Sequence, residues 1–136
     1  MALRMEDRVS KDNAGRQYEL KFEDRDGYLF AHVKSDEITP EAGLDYVRRI
    51  VEKSRESNCD RVLLIRDIPN MLPLREIYRT AHELQEMFGD KTLAIVNPHS
   101  TIYGKMNFLA QAFQSRGGRC EVFESVADAE KWLLRG

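Results

Sequence analysis

Residues 61–98 read RVLLIRDIPNMLPLREIYRTAHELQEMFGDKTLAIVNP. Two short apolar runs, VLLI and TLAIV, flank a segment in which Leu74, Ile77, Tyr78, Ala81, Leu84 and Phe88 recur at helical spacing. Runs that are apolar at every position suit strands covered on both faces. The periodic segment predicts a helix with those six residues buried, and Gly89 closes it. A strand, a helix and a strand in that order form a βαβ unit. Its two strands must be parallel and its crossover right-handed.

The same pattern continues toward the C-terminus. HSTIYGKMNFLAQAFQSRGG, 99–118, predicts a helix ended by two glycines, with Ile102, Met106, Leu109 and Phe113 as its core stripe. RCEVFE, 119–124, predicts a short strand. SVADAEKWLLRG, 125–136, predicts a last helix, with Ser125 and Asp128 spaced as in a capping box. Toward the N-terminus, ITPEAGLDYVRRIVEKSRES, 38–57, predicts a helix. Thr39 suits its N-cap, Pro40 its first position and Glu41 the positive end of its dipole, and Leu44, Val47, Ile50 and Val51 form its apolar stripe. RQYELKFED, 16–24, alternates, with Tyr18, Leu20 and Phe22 on one side and charged residues on the other, as expected for an edge strand with one wet face. RDG, 25–27, signals a tight turn, and GYLFAHVK completes a hairpin.

The predicted order is β-β-α-β-α-β-α-β-α. This is one α/β domain over residues 16–136, with a mixed, mostly parallel five-stranded sheet. Residues 1–15 are polar and aperiodic and are expected to form a disordered tail. A chain of 136 residues is one domain by size. Its formal net charge of −2, with Lys and Arg interleaved with Asp and Glu, argues against a general nucleic-acid binder. No apolar run is long enough to span a bilayer, and the first fifteen residues carry no secretory h-region. The two cysteines, Cys59 and Cys120, lack metal-ligand spacing. If the strands lie in chain order, Cys59 and Cys120 begin strands two spacings apart. Their Cα atoms are then roughly 9–10 Å from each other, beyond disulfide reach. Free, buried thiols and a cytoplasmic location are the expectation.

The element order, the run VLLIRDI leading into PLREIYRTAHEL, the strand ending in VNP and the closing VFESVADAEKWL together resemble the STAS fold of anti-sigma-factor antagonists and the related SpoIIAA-like proteins. The resemblance covers about residues 16 to 135. It implies a small, non-enzymatic regulatory domain that binds a protein partner or itself. In the antagonists a phosphorylatable serine sits after the third strand, where added charge controls the partner. Here the stretch from Ile68 to Arg79 offers only one hydroxyl, that of Tyr78, on the predicted apolar stripe. The serine switch is absent from that position, and the SpoIIAA-like branch is the better match.

Ligands of open α/β sheets gather beyond the carboxyl ends of the strands. Those ends carry Arg66 and Asp67, then Asn97, His99, Ser100 and Thr101, then Glu124 and Ser125. Ser100 and Thr101 at a helix start are candidates for anion binding through free N–H groups. The plainer reading makes Asp67 and Ser100 cap and turn residues. Met71 and Leu72, apolar between two prolines, mark a contact surface if exposed and a loop folded over the core if buried. Phe108 falls off the stripe of its helix and is expected to pack in a wide apolar face. The candidate binding residues are therefore Asp67, Asn70, Met71, Leu72, Arg75, Asn97, Ser100 and Thr101. No nucleophile–base pair is evident: Ser100 and His99 are adjacent and point apart, and there is no G-x-S-x-G, Walker or G-x-G-x-x-G motif. His32, His82 and His99 lack metal-ligand spacing and are expected to be structural or surface residues. No catalytic residue, metal site or cofactor is expected. The alternative to a partner-binding domain is one that binds a small anionic or partly apolar, lipid-like ligand, by analogy with CRAL-TRIO domains.

Overall fold

In a computed structural model, residues 18–135 are described; the expected tail over 1–15 lies outside them. The five strands among the described residues are β1 (Tyr18–Arg25), β2 (Tyr28–Ser35), β3 (Arg61–Asp67), β4 (Thr92–Val96) and β5 (Arg119–Phe123). The four helices among the described residues are α1 (Pro40–Glu56), α2 (Leu74–Phe88), α3 (Tyr103–Gln114) and α4 (Val126–Arg135). The sheet order is β1-β2-β3-β4-β5, with only β1 and β2 antiparallel. The α/β class, the mixed sheet and the element order match the sequence expectation.

Strict chain order has a geometric consequence. Each right-handed crossover between neighbouring parallel strands places its helix on the same face when the strands never reverse direction across the sheet. The main core accordingly joins Leu20, Val33, Val62, Leu64, Ile95 and Val122 to the apolar faces of α1, α2 and α3. Among the described residues the other face carries only α4, whose Ala129 and Leu133 pack on Tyr28, Leu63, Ala94 and Val96. There is no strand reversal, so no switch-point crevice forms between the strand ends.

Local chemistry holds these pieces where the sequence puts them. The hairpin turns through Asp26 and Gly27, and Gly27 takes φ +88°, the region a two-residue loop needs and glycine adopts without strain. Thr39 caps α1 by accepting from the Ala42 N–H at 3.1 Å, with Pro40 as the first helical residue. Ser125 accepts from the Asp128 N–H at 3.2 Å at the start of α4. Tyr28 is fully buried and donates its hydroxyl to Glu130 at 2.9 Å, tying α4 to the hairpin. Tyr18 donates to Asp45 and accepts from Arg49, so the edge strand is bonded to α1.

Two stripes differ from expectation. On α1, Tyr46 and Ser54 join Val47, Ile50 and Val51 in the core, while Leu44 is half-buried. On α2, Thr80 takes a buried place and the helix rotates Leu74 and Tyr78 outward, to 51% and 54% exposure. The 99–118 helix is also shorter than expected: Ser100–Ile102 form a 3-10 turn, and the α-helix starts at Tyr103. Phe108 packs against the core, as expected.

Cys59 and Cys120 are both free, but only Cys120 is fully buried. Burial pushes the Cys120 thiol well above its ordinary value, and burial followed by the Asp45 hydrogen bond raises Tyr18 to about 12. A folded-state pKa above the unfolded one means the folded protein holds the proton longer. The stability it contributes is complete below the unfolded thiol's pKa near 9.0 and declines as pH rises above it. Urea unfolding at pH 8, 9.5 and 10.5 is expected to show this decline. Cys120→Ala should flatten it by about 1.4 kcal/mol per pH unit, the linkage of one proton.

Candidate functional site at the strand ends

Residues 66 and 67 are adjacent in a strand, so their side chains leave opposite faces of the sheet. Arg66 points into the helix-covered face and is 2% exposed. Its Nη1 donates to the Ile68 carbonyl at 3.1 Å, and its Nη2 donates to the Asn70 carbonyl at 3.0 Å and to the Met71 sulfur at 3.3 Å. Among the described residues no ion pair reaches it. The guanidinium thus acts as a fork on the connection that leads from β3 to α2.

That fork answers the question posed by Met71 and Leu72. Ile68 is fully buried, Leu72 is 8% exposed and Met71 packs half-buried against the main core. The apolar residues between the prolines fold back on the core, so of the two readings left open for Met71 and Leu72 the structure takes the second. Asn70 donates from Nδ2 to the Asp36 carbonyl at 3.2 Å, linking this segment to the β2–α1 connection. Pro73 precedes α2 without a side-chain cap. Arg75, at the second position of α2, is exposed.

Asp67 emerges on the open face. Its Oδ1 lies 2.8 Å from His99 Nε2, and its Oδ2 lies 3.8 Å from His32 Nε2. It is a hydrogen-bonded carboxylate between two imidazoles, which corrects its reading as a helix cap. With the proton on Nε2, His99 donates to the carboxylate, which accepts. His32 Nε2 is buried and has no hydrogen-bond partner. It borders a shallow depression of about 40 Å³ with Glu19, Lys21 and Lys34 on the outer face of the hairpin. Among the described residues no group of His, Cys, Asp and Glu is arranged to hold a metal ion.

The remaining candidates divide. Asn97 is 3% exposed and shapes the turn that presents His99: its Oδ1 accepts from the His99 N–H at 3.2 Å and its Nδ2 donates to the His99 carbonyl at 3.0 Å. Ser100 and Thr101 are exposed and head a three-residue 3-10 turn, where the Ile102 N–H is already bonded to the His99 carbonyl. The structure therefore joins Asn97 to Asp67 through His99, and joins Asn70 and Met71 to Arg66. It does not bring Ser100, Thr101 or Arg75 into either group.

His32, His99 and Arg66 are the residues that the candidate set leaves out. The meeting of His32 and His99 at Asp67 follows from register, and Arg66 lies on the opposite face. Ile65 lies beside Val96 and His32 beside Ile65, so the residues just past those pairs converge on Asp67. A histidine spacing search along the chain is blind to this, because the three residues come from three different strands or strand ends.

No known family matches the sequence, and no curated protein sequence matches it.

A double-mutant cycle separates the two imidazole contacts. Asp67→Asn with His99→Ala is expected to show a coupling of about 0.5–1.5 kcal/mol, as for a partly buried hydrogen bond. Asp67→Asn with His32→Ala should show less than about 0.5 kcal/mol, because 3.8 Å is too long for a hydrogen bond and both side chains reach solvent.

Proposed function

We propose that the chain is a non-enzymatic, cytoplasmic regulatory domain of the STAS-like kind, which acts by binding a protein partner or a second copy of itself. The observation that carries this reading is the outward placement of Leu74 and Tyr78. They are four residues apart on α2 and so form one stripe. The stripe follows directly on the β3–α2 connection, where the resemblance implies partner contact. The Arg116 guanidinium, from the end of α3, lies 5.0 Å from the centre of the Tyr78 ring. Its Nε is buried without a hydrogen-bond partner, an unsatisfied donor beside an exposed aromatic. Aromatic and arginine side chains are the types that dominate binding energy at interfaces.

Asp67 and His99 make an acid–imidazole pair, but among the described residues no serine, threonine or cysteine is bonded to that ring. No described helix is long and apolar enough to cross a membrane.

A second reading, a domain for a small anionic or partly apolar ligand, is favoured by one observation. Arg66 is a buried cation bonded only to neutral acceptors.

A photo-crosslinking residue placed at position 78 in cells should trap a discrete protein adduct, and one at exposed Glu121 should not. Replacing both Leu74 and Tyr78 with Asp should abolish the association and change stability by under about 0.5 kcal/mol each, as surface substitutions do. Equal labelling from both positions, or association that survives the double substitution, contradicts the proposal.

A further inference from the structure

Between α1, α2 and the β3–α2 connection lies a cavity of about 30 Å³. That is room for roughly two waters or an occupant of a few heavy atoms. Its walls are apolar, including Tyr46, Leu72, Ile77 and Leu84, and two polar side chains line it: Arg66 and Thr80. Both are buried, Arg66 to 2% and Thr80 to 7% exposure.

The two observations are independent, and they point the same way. A buried guanidinium has lost most of its hydration and normally has a carboxylate to offset that loss. Here the bonds go to two backbone carbonyls and a thioether, which supply partial negative charge only. Three of its contacts are used, and a guanidinium has five N–H donors in a planar fork suited to a carboxylate. The space beside it is partly open to solvent, and its other lining side chains are mostly apolar. A cation at one end, a hydroxyl on the wall and apolar surface elsewhere fit a molecule with one anionic end and a short apolar remainder.

We infer that this cavity is a binding site for a small monocarboxylate, of the size of formate or acetate, with Arg66 as its counter-ion and Thr80 as a second donor. The site rests on the ligand reading above, and it is separate from the Leu74–Tyr78 stripe. Both can operate in one molecule: the carboxylate would brace Arg66 and with it the connection that leads into the partner-binding end of α2.

The test uses wild-type protein with sodium acetate, and acetamide as a neutral molecule of the same shape, at constant ionic strength set with sodium chloride. Acetate should raise Tm, by roughly 4–8 °C at ten times Kd and with the logarithm of its concentration beyond that. In methyl NMR spectra it should shift Leu72, Ile77, Leu84 and Val47 while leaving Leu74 unmoved. Acetamide should do neither. Thr80→Val should weaken acetate binding several-fold, and Arg66→Met should remove it. Equal effects of acetate and acetamide, shifts spread over surface methyls, or no effect of acetate would overturn the inference. None of those results bears on the crosslinking at position 78, so failure of the site and failure of the partner surface are distinguishable.

Discussion

The Arg66 fork is the interaction on which the working end of this fold depends. A strand that ends in the middle of a sheet must hand its chain to a helix without leaving carbonyls stranded in the core. The segment Ile68–Leu72 is buried at Ile68 and Leu72 and exposed at Pro69 and Asn70, so its backbone dips into the core at both ends. One guanidinium, rooted one residue from the end of β3, supplies donors for two carbonyls and a contact for the Met71 sulfur. A lysine could not reach three acceptors in one plane. The connection is therefore a fixed part of the core, and α2 begins from a defined position. Asn70 extends the bracing to the β2–α1 connection through the Asp36 carbonyl.

The pleat divides the charged pair at the end of β3 into two sites of different character. Arg66 lies under three helices in a low-dielectric setting, where an incomplete set of partners matters most. Asp67 lies on the face that among the described residues α4 alone covers, beside His99 and His32, and all three side chains are partly exposed. This asymmetry follows from topology. Strands laid in chain order send α1, α2 and α3 to one side, and α4 alone cannot cover five strands. It packs mainly on β3, β4 and β5 and reaches Tyr28 at the start of β2, and the rest of the outer face of the hairpin is left to Glu19, Lys21, His32 and Lys34.

Much of the fold was legible in the sequence because it rests on local, periodic signals. The alternation of Tyr18, Leu20 and Phe22, the Asp26–Gly27 turn and the cap at Thr39 all formed as expected. The apolar stripe of α2 was less legible, because Tyr78 and Leu74 fit a helical period and are still turned outward. Thr80, a polar residue, takes the inward position instead. The β3–α2 connection was the least legible part. Whether Met71 and Leu72 are exposed depends on where Arg66 puts its donors, and nothing in residues 66–73 alone reveals that. The Asp67–His99 bond likewise depends on the pairing of β3 with β4, a long-range property.

The central claim is that Arg66 holds the connection by satisfying carbonyls, and Arg66→Met tests it most directly. Met keeps much of the apolar bulk and removes every donor. If the claim is right, the variant loses about 2–4 kcal/mol of unfolding free energy, the cost of orphaned carbonyls less the relief of a buried charge. Hydrogen exchange should then show the amides of Ile68, Leu72, Glu76 and Ile77 opening well before those of β3 and β4. A variant as stable as the parent or more so, with unchanged exchange in that segment, would contradict it: Arg66 would then be a tolerated cation, and hydrophobic packing alone would position the start of α2.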